Sequence, residues 1–147
     1  SGGIADGYQM AACLALGAQG VNMGTRFMCT KEAPIHDKVK QALVNAGERD
    51  TNLIFRTMRN TSRVLKNAVS DEVVAMEKKG AAFEEVKHLV AGARGRNAMT
   101  TGEVDAGIVS AGMVVGLITD IPTCKELIER MVRECREALA ASAAMMA

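Results

Sequence analysis

The sequence predicts an α/β fold in residues 1–30, followed by a mainly helical segment. Residues 7–16 are small and apolar and are followed by Gly17, which is typical of a helix that packs closely on a sheet and then stops. Residues 20–24 form a short apolar run that ends in glycine, which indicates a buried parallel strand. The order of loop, helix, strand and loop is one α/β repeat. One repeat cannot close a core, because a parallel strand needs neighbouring strands and covering helices.

Capping residues and apolar spacing predict the next helices. Asp6 is suited to cap the first helix. Pro34 sits where a first helical turn accepts proline, and the apolar stripe behind it ends near Gly47. That stripe consists of Ile35, Val39 and Leu43. Residues 51–58 contain a possible strand, and Ser70 opens a helix that runs to Gly80.

The remaining elements are predicted to be helical as well. A helix is expected at about residues 83–90, and residues 106–118 are expected to form a buried helix, too short for the roughly 20 residues that span a bilayer. Thr123 and Glu126 form a capping box for the last helix, and residues 140–147 are expected to fray. The apolar stripe of that helix is Leu127, Ile128, Met131, Cys135 and Leu139.

Composition limits the classes of partner. The net charge is +1, from 18 basic and 17 acidic residues, and aromatic residues make up only 3%. Neither a nucleic-acid nor a membrane partner is therefore expected. The four cysteines are scattered, which predicts no metal site and no disulfide framework, and indicates a reducing, cytoplasmic compartment. The chain opens at Ser1 without an initiator methionine, so we expect a missing amino-terminal part of the same protein.

Two glycine-bearing turns are the main candidate site. Ser1-Gly2-Gly3 and Met23-Gly24-Thr25 lie one repeat apart, each at an expected strand end, so neighbouring strands would place them side by side. Glycine lets backbone N–H groups approach an anion, a following helix adds its positive end, and Thr25 adds a hydroxyl donor. This pattern is typical of the phosphate site after the last two strands of a (β/α)8 barrel. The alternative is that the glycines only form tight turns.

The same residues carry a family resemblance. Residues 1–7, 14–18 and 20–27 resemble the flavin-phosphate segment of the nitronate monooxygenase family, formerly called 2-nitropropane dioxygenases. Flavin-dependent enoyl-acyl-carrier-protein reductases share this first segment but are more distant over Arg56–Asn67, and some relatives are NADH:quinone reductases. The resemblance covers nearly the whole chain. It continues through Thr30–Glu32, Pro34–His36, Asp50-Thr51, Arg59–Asn67, Asp105–Gly107 and Ser110–Met113.

The resemblance implies the carboxy-terminal part of a TIM (β/α)8 barrel with a mainly helical second domain, and non-covalently bound FMN. Residues 1–30 would be a barrel segment, residues 31–101 the helical domain, and residues 102–147 a return to the barrel. The flavin-binding positions would be Ser1, Gly2, Gly3, Gly24 and Thr25.

The catalytic base that the resemblance implies, a histidine in an Ala-Gly-His type of turn, has no counterpart in this chain and is expected upstream. His36 and His88 are expected to be structural or solvated. A cationic series, Arg56, Arg59, Arg63 and Lys66, either meets a nicotinamide cofactor or forms a solvated face. Ser110–Met113 either line the mouth of the flavin site or begin a buried helix.

The activity implied for the complete protein is oxidation of alkyl nitronates with O₂ to a carbonyl compound and nitrite. The alternatives are NAD(P)H:quinone reduction on the same flavin, enoyl reduction, or a structural fragment that completes a barrel with another chain. A small-molecule substrate is expected, and a homodimer is possible on this interpretation.

Overall fold

The computed structural model describes residues 1–146 and is mainly helical. Among these residues are seven α-helices, two strands and two short 3-10 turns. The helices are α1 (Gly7–Ala15), α2 (Thr25–Met28), α3 (Asp37–Asn45), α4 (Ala68–Lys78), α5 (Phe83–Val86), α6 (Gly92–Thr101) and α7 (Cys124–Ala144). The strands are β1 (Thr51–Ile54) and β2 (Ser62–Leu65), and the 3-10 turns span Val104–Ala106 and Met113–Leu117.

The two strands form an antiparallel hairpin. Thr51 pairs with Leu65 and Ile54 with Ser62, so the register is fixed over four residues of each strand. The turn between them is held from α4, because the Glu77 carboxylate accepts hydrogen bonds from the Phe55 amide at 3.0 Å and the Thr57 hydroxyl at 3.2 Å. Glu77 therefore ties the hairpin to the helix that packs on it.

The parallel strand predicted at residues 20–24 is not formed among the described residues. A parallel strand is stabilised by hydrogen bonds to neighbouring strands. Here the segment packs against Ile4, Leu127 and Met131, but its backbone bonds to the turn at residues 1–3 only once, from the Gly2 amide to the Asn22 carbonyl. The observed sheet is the antiparallel hairpin alone. The prediction failed because an apolar run becomes a strand only where partners are present.

The buried helix predicted at residues 106–118 is also wrong. The middle of this segment lies along β2, with the Leu65 amide donating to the Val109 carbonyl at 2.8 Å and a bridge between Val64 and Ser110. Val109 and Ala111 are buried while Ser110 between them is exposed, which is the period of two expected of a strand. The apolar composition correctly indicated a buried segment, but the alternation of buried and exposed residues around Ser110 is that of a strand and not of a helix.

Helix boundaries follow the caps. Asp6 caps α1 by accepting from the Gln9 amide, and the capping box of Thr123 and Glu126 begins α7, so both predictions are confirmed. Asn67, rather than Ser70, caps α4. His36 caps α3, which therefore begins three residues after Pro34.

Three other helix predictions need correction. The helix expected at residues 83–90 ends at Val86. Helix α6 was missed because its glycines indicate a loop, yet Gly95 is needed there, since a Cβ would overlap the Ile108 carbonyl. Residues 140–144, expected to fray, are the end of α7, and Ala147 lies outside the described residues.

Helices α1 and α7 pack closely against each other, and the segments that contain the glycine turns pack against α7. Gly7 allows the contact, because a Cβ there would overlap the main chain of Met131 and Cys135. Ile4 packs with Leu127 and Met131 in the core between them. In the predicted stripe of α7, Leu127, Met131 and Cys135 are buried, whereas Ile128 and Leu139 are exposed. No helix within residues 1–146 is long and apolar enough to cross a membrane.

Candidate functional site

The two glycine turns lie side by side, as their spacing predicts. The Gly2 amide donates to the Asn22 carbonyl at 2.9 Å, which joins the first turn to the segment just before the second. Gly2 and Gly3 have φ angles of +77° and +73°, a conformation that residues with a Cβ rarely adopt. Glycine is therefore required at the first turn by the path of the backbone.

Three backbone amides of the predicted set have no acceptor among residues 1–146. They belong to Gly3, Gly24 and Thr25. The Thr25 hydroxyl accepts from the Gly112 amide at 3.0 Å, so its own hydrogen remains available for donation. Gly2 differs from them, because its amide is used within the protein. The predicted set thus separates into donors (Gly3, Gly24, Thr25) and a residue that positions them (Gly2).

The space in front of the turns is open. A Cβ built at Gly2, Gly3 or Gly24 meets no atom of the protein within 4 Å. At Gly24, whose φ is −101°, a side chain would therefore meet neither a clash nor backbone strain, but it would occupy the space in which a ligand approaches the backbone. Ser1, the other predicted member, is exposed at the edge of the same turn.

Helix ends add little to this site, contrary to the sequence-based expectation. Helix α2 begins at Thr25 but has only four residues, so few peptide dipoles align behind it. The positive end of α1 is occupied by the carboxylate of Asp6, which accepts from the Gln9 amide at 2.8 Å. The site therefore consists of loop amides and a hydroxyl group.

The first turn is braced by Gln9. Its side-chain amide donates to the Gly3 carbonyl at 3.1 Å and accepts from the Ala5 amide at 2.7 Å. Two residues before Gln9, the Gly7 amide donates to the Glu134 carboxylate of α7 at 2.8 Å. The loop that presents the Gly3 amide is thus fixed from α1 and from α7. Sequence reasoning did not find Gln9, because a polar residue on a short helix carries no motif.

The second turn is anchored by a buried cation. Arg26 is only 2% exposed and donates to the Asp120 carboxylate at 3.0 Å and to the Asp120 carbonyl at 3.2 Å. Arg130 binds the same carboxylate through two hydrogen bonds, at 2.7 and 3.1 Å. Hydrogen bonds from Arg130 hold the pKa of Asp120 below its usual range, despite partial burial. This network fixes α2 and, with it, Thr25.

The first turn opens into a cleft of about 670 Å³, here called the cleft of the glycine turns. Gly24 and Thr25 do not line it themselves, but the lining residue Gly112 is hydrogen-bonded to Thr25. Met113 and Leu117 form an apolar part of its wall and are 53% and 54% exposed. The expectation that Ser110–Met113 line the site holds for Gly112 and Met113, whereas Ser110 lines a different cleft beside Ile35. The cleft is lined by Ser1, Gly2, Gly3, Gln9, Glu48, Arg63, Gly112, Met113, Val114, Gly116 and Leu117.

The cationic series does not form one face. Arg56 lines a separate cleft beside Glu77, Arg59 is exposed in the hairpin turn, and Lys66 lines a third cleft. Only Arg63 reaches the cleft of the glycine turns. The spacing of three to four residues suggested either contact with a nicotinamide cofactor or one solvated face, but the residues lie on a hairpin, its turn and the residue after it.

The histidines and cysteines lie outside this site. The His36 ring accepts from the Lys38 amide at 3.1 Å as a helix cap, and His88 is exposed. All four cysteines are free thiols, and burial raises the pKa of Cys29 to about 11. Within residues 1–146, no group of three His, Cys, Asp or Glu side chains is arranged to hold a metal ion.

Unpaired amides in glycine turns beside an apolar wall form an arrangement that can accept an anionic group of a small molecule. Comparison with known proteins makes this more specific. The family model described as "Nitronate monooxygenase" matches residues 1–134. The chain therefore belongs to the nitronate monooxygenase family.

Individual relatives agree with the family. The chain is 31% identical over 190 residues to a hydroxy-methyl-oxo-octahydro-indene-carboxyl-CoA dehydrogenase of Rhodococcus jostii, covering 100% of this chain and 52% of the relative. It is 27% identical over 139 residues to a nitronate monooxygenase of Paraburkholderia phytofirmans, covering 95% of this chain and 38% of the relative. Both names denote oxidoreductases, as does the family name.

A solved structure shows the same fold. FabK from Thermotoga maritima superposes with a TM-score of 0.90 at 33% identity, covering 98% of this chain and 45% of FabK. The chain thus spans about half the length of the first relatives it matches.

Proposed function

We propose that this chain forms the phosphate-binding part of an FMN-dependent oxidoreductase. The observation that carries the proposal is the group of unpaired donors at Gly3, Gly24 and Thr25, held together by the bond from Gly2 to Asn22. A phosphate monoester has three acceptor oxygens, which such a set of donors suits. Family membership over residues 1–134 supports a flavin as the molecule that carries the phosphate.

The architecture of the complete protein follows from the same proposal. Residues 1–30 and 102–147 would belong to a (β/α)8 barrel, and residues 31–101 would form its helical second domain. The superposition on 45% of FabK supports a partial fold that needs further strands. The unpartnered segment at residues 20–24 would then become a strand once its neighbours are present.

The chain's own residues bind and orient the cofactor in this proposal. The glycine turns would hold the phosphate end, Gln9 and Arg26 would fix those turns, and Met113 and Leu117 would shield one wall of the cleft from water. Bound FMN supplies one-electron and two-electron transfer chemistry, which the protein directs by position and electrostatics. Neither His36 nor His88 lines this cleft, so we expect the proton-abstracting group to come from the upstream part.

Oxidation of alkyl nitronates with O₂, giving a carbonyl compound and nitrite, is the first candidate reaction. The family model and the nitronate monooxygenase of Paraburkholderia phytofirmans support it. The test is oxygen uptake by the complete protein, loaded with FMN, on propionate 3-nitronate. Uptake with stoichiometric nitrite supports this reaction, and an FMN-loaded protein that consumes no oxygen on nitronates contradicts it.

A second candidate is oxidation or reduction of an acyl thioester. The relative that is 31% identical over the whole chain is named as a carboxyl-CoA dehydrogenase, a higher identity than the 27% of the nitronate monooxygenase. Anaerobic mixing of the FMN-loaded protein with NADH separates the possibilities. Rapid loss of the flavin absorbance followed by its return on adding an enoyl-CoA favours thioester chemistry, and its return only on adding a quinone favours quinone reduction. No response to NADH favours the nitronate reaction.

A further inference from the structure

Arg63 faces the cleft of the glycine turns and has no role in the function proposed above. It lies in β2, is half-buried, and lines the same cleft as Gly2, Gly3 and Gly112. It is the only lysine, arginine or histidine side chain among the lining residues of this cleft in the described part of the chain. A single cation beside a candidate anion site calls for an explanation.

The position of Arg63 is fixed by the same segment that contacts the second turn. The Ala111 amide donates to the Arg63 carbonyl at 3.4 Å, and the next residue, Val64, forms a bridge with Ser110. One residue further along that segment, the Gly112 amide donates to the Thr25 hydroxyl. Hydrogen bonds thus connect β2 to residues 109–112, and these residues to the turn at Thr25.

The charge of Arg63 is not neutralised within residues 1–146. Its guanidinium makes one hydrogen bond, from Nη1 to the Thr51 hydroxyl at 2.8 Å, and no carboxylate lies within 4.0 Å to form an ion pair. Glu48, which lines the same cleft, lies 3.9 Å from Arg49 instead. Because a guanidinium has five N–H donors, four remain available to a ligand.

The glycine turns supply hydrogen bonds but no charge. A phosphate monoester carries about 1.5 to 2 negative charges at neutral pH. The donors at Gly3, Gly24 and Thr25 are all neutral, and the helix ends that would add positive potential are short or capped. Hydrogen bonds between a guanidinium and a phosphate are roughly twice as strong as those between neutral groups. The cleft therefore pairs an uncompensated cation with a site for an uncompensated anion.

We propose that Arg63 provides the positive charge for the phosphate group of the flavin, completing a site whose other donors are backbone amides. This inference rests on the proposed function, because it takes FMN as the occupant of the glycine turns. It goes beyond that function because it assigns the positive charge that faces the phosphate to a residue of the hairpin, on one wall of the cleft. Binding of the phosphate would then depend on both the glycine turns and β2.

The test compares the dissociation constants of FMN and riboflavin, which differ only in the phosphate group, for the complete protein stripped of flavin. Flavin fluorescence reports both without any need for activity. We expect Arg63→Gln to weaken FMN binding by roughly tenfold to a hundredfold, as expected for loss of a charged hydrogen-bonding partner. Riboflavin affinity should change by less than about twofold, and Arg63→Lys should recover part of the FMN affinity.

Two matched variants separate charge from structure. Thr51→Val removes the hydroxyl that Arg63 contacts but leaves the cation, so FMN should bind nearly as in the wild type. Arg56→Gln removes a similar charge from the same hairpin outside this cleft, and it should leave both affinities unchanged.

The outcomes are distinguishable. If Arg63→Gln leaves the ratio of FMN to riboflavin affinity at its wild-type value, or if Thr51→Val lowers that ratio as much as Arg63→Gln does, Arg63 is not the charge partner. In either case the proposed function survives, provided that the wild-type protein binds FMN. If the wild-type protein binds neither flavin, the proposed function fails and this inference fails with it. Should Arg63→Gln not fold, the FMN-to-riboflavin ratio of Arg63→Lys decides the question.

Discussion

The glycine-turn region (residues 1–30) and the hairpin region (residues 51–78) satisfy their polar groups in opposite ways. In the hairpin region the Asn67 side chain makes three hydrogen bonds, accepting from the Ser70 amide and donating to the Val104 and Gly107 carbonyls at 2.7 and 2.8 Å. In the glycine-turn region the amides of Gly3, Gly24 and Thr25 have no acceptor among the described residues. The first arrangement supports a fold, and the second leaves donors for a ligand.

This difference separates polar groups that hold the fold together from polar groups that can contact a ligand. Amides at the surface without a protein partner can pair with water or with a ligand, so their cluster in glycine turns is a candidate binding site. The hairpin region contains more regular structure and more cations, and its Asn67 and Glu77 side chains are paired within the protein. Arg63, which makes one hydrogen bond to Thr51, is the cation of the hairpin that lines the cleft of the glycine turns.

The largest expected effect separates binding from stability. Gly24→Val fills open space in front of the donors, and its φ of −101° allows a side chain without backbone strain. We expect FMN affinity in the complete protein to fall by about a hundredfold, with the free energy of unfolding changed by less than about 0.5 kcal/mol. Gly92→Val, at a second open and exposed glycine outside this segment, is the control. Equal FMN affinity for both variants would place the phosphate elsewhere.

The next effect concerns the frame behind the second turn. Asp120→Ala removes the carboxylate that pairs with buried Arg26, and leaving a buried cation unpaired is costly. Because Asp120 is 41% exposed, we expect a loss of roughly 2 kcal/mol in the free energy of unfolding, measured by urea denaturation. Glu129→Ala, which removes an exposed partner of Lys125, should cost less than about 0.5 kcal/mol. A loss at Asp120 no larger than at Glu129 would contradict the anchoring role of Arg26.

A core substitution in the hairpin region should affect stability alone. Val73 of α4 is fully buried against Ile54 and Val64 in the core under the hairpin. We expect Val73→Ala to cost about 1.5 kcal/mol of stability, from the cavity it leaves. The ratio of FMN to riboflavin affinity should be unchanged. A fall in that ratio would mean that the two regions are coupled beyond Arg63.

The smallest effect is a change with pH. The Glu32 carboxylate accepts from the Cys124 amide at the start of α7, which lowers its pKa from 4.5. A lowered pKa in the folded state gives stability that is present above the ordinary value and is lost as pH falls through the folded value. We therefore expect Glu32→Gln to be less stable than the wild type at pH 7, by a difference that shrinks below about pH 4.5. A difference independent of pH would contradict this assignment.

The sequence predicts local turns and helix caps better than the surrounding fold. Glycine at positions 2 and 3 is a local requirement of positive φ angles, so a short stretch of sequence carries the signal. Caps such as Asp6 and Thr123 are equally local and were predicted correctly. The strand at residues 20–24 depends on distant partners, and the segment around Val109 took its structure from β2. Neither could be decided from its own residues.

Two residues of the site were underestimated for the same reason. Gln9 holds the first turn through hydrogen bonds that no motif indicates. Arg63 belongs to a series of cations that was predicted either to meet a nicotinamide cofactor or to form a solvated face. The hairpin separates that series and brings one member to the cleft. Which arginine matters is decided by tertiary pairing between β2 and residues 109–111.

The most direct test of the phosphate site is a crystal structure of the complete protein with FMN bound. We predict phosphate oxygens within about 3 Å of the amide nitrogens of Gly3, Gly24 and Thr25, the normal hydrogen-bond distance. A flavin phosphate bound elsewhere, with these three amides facing only solvent, would contradict the account.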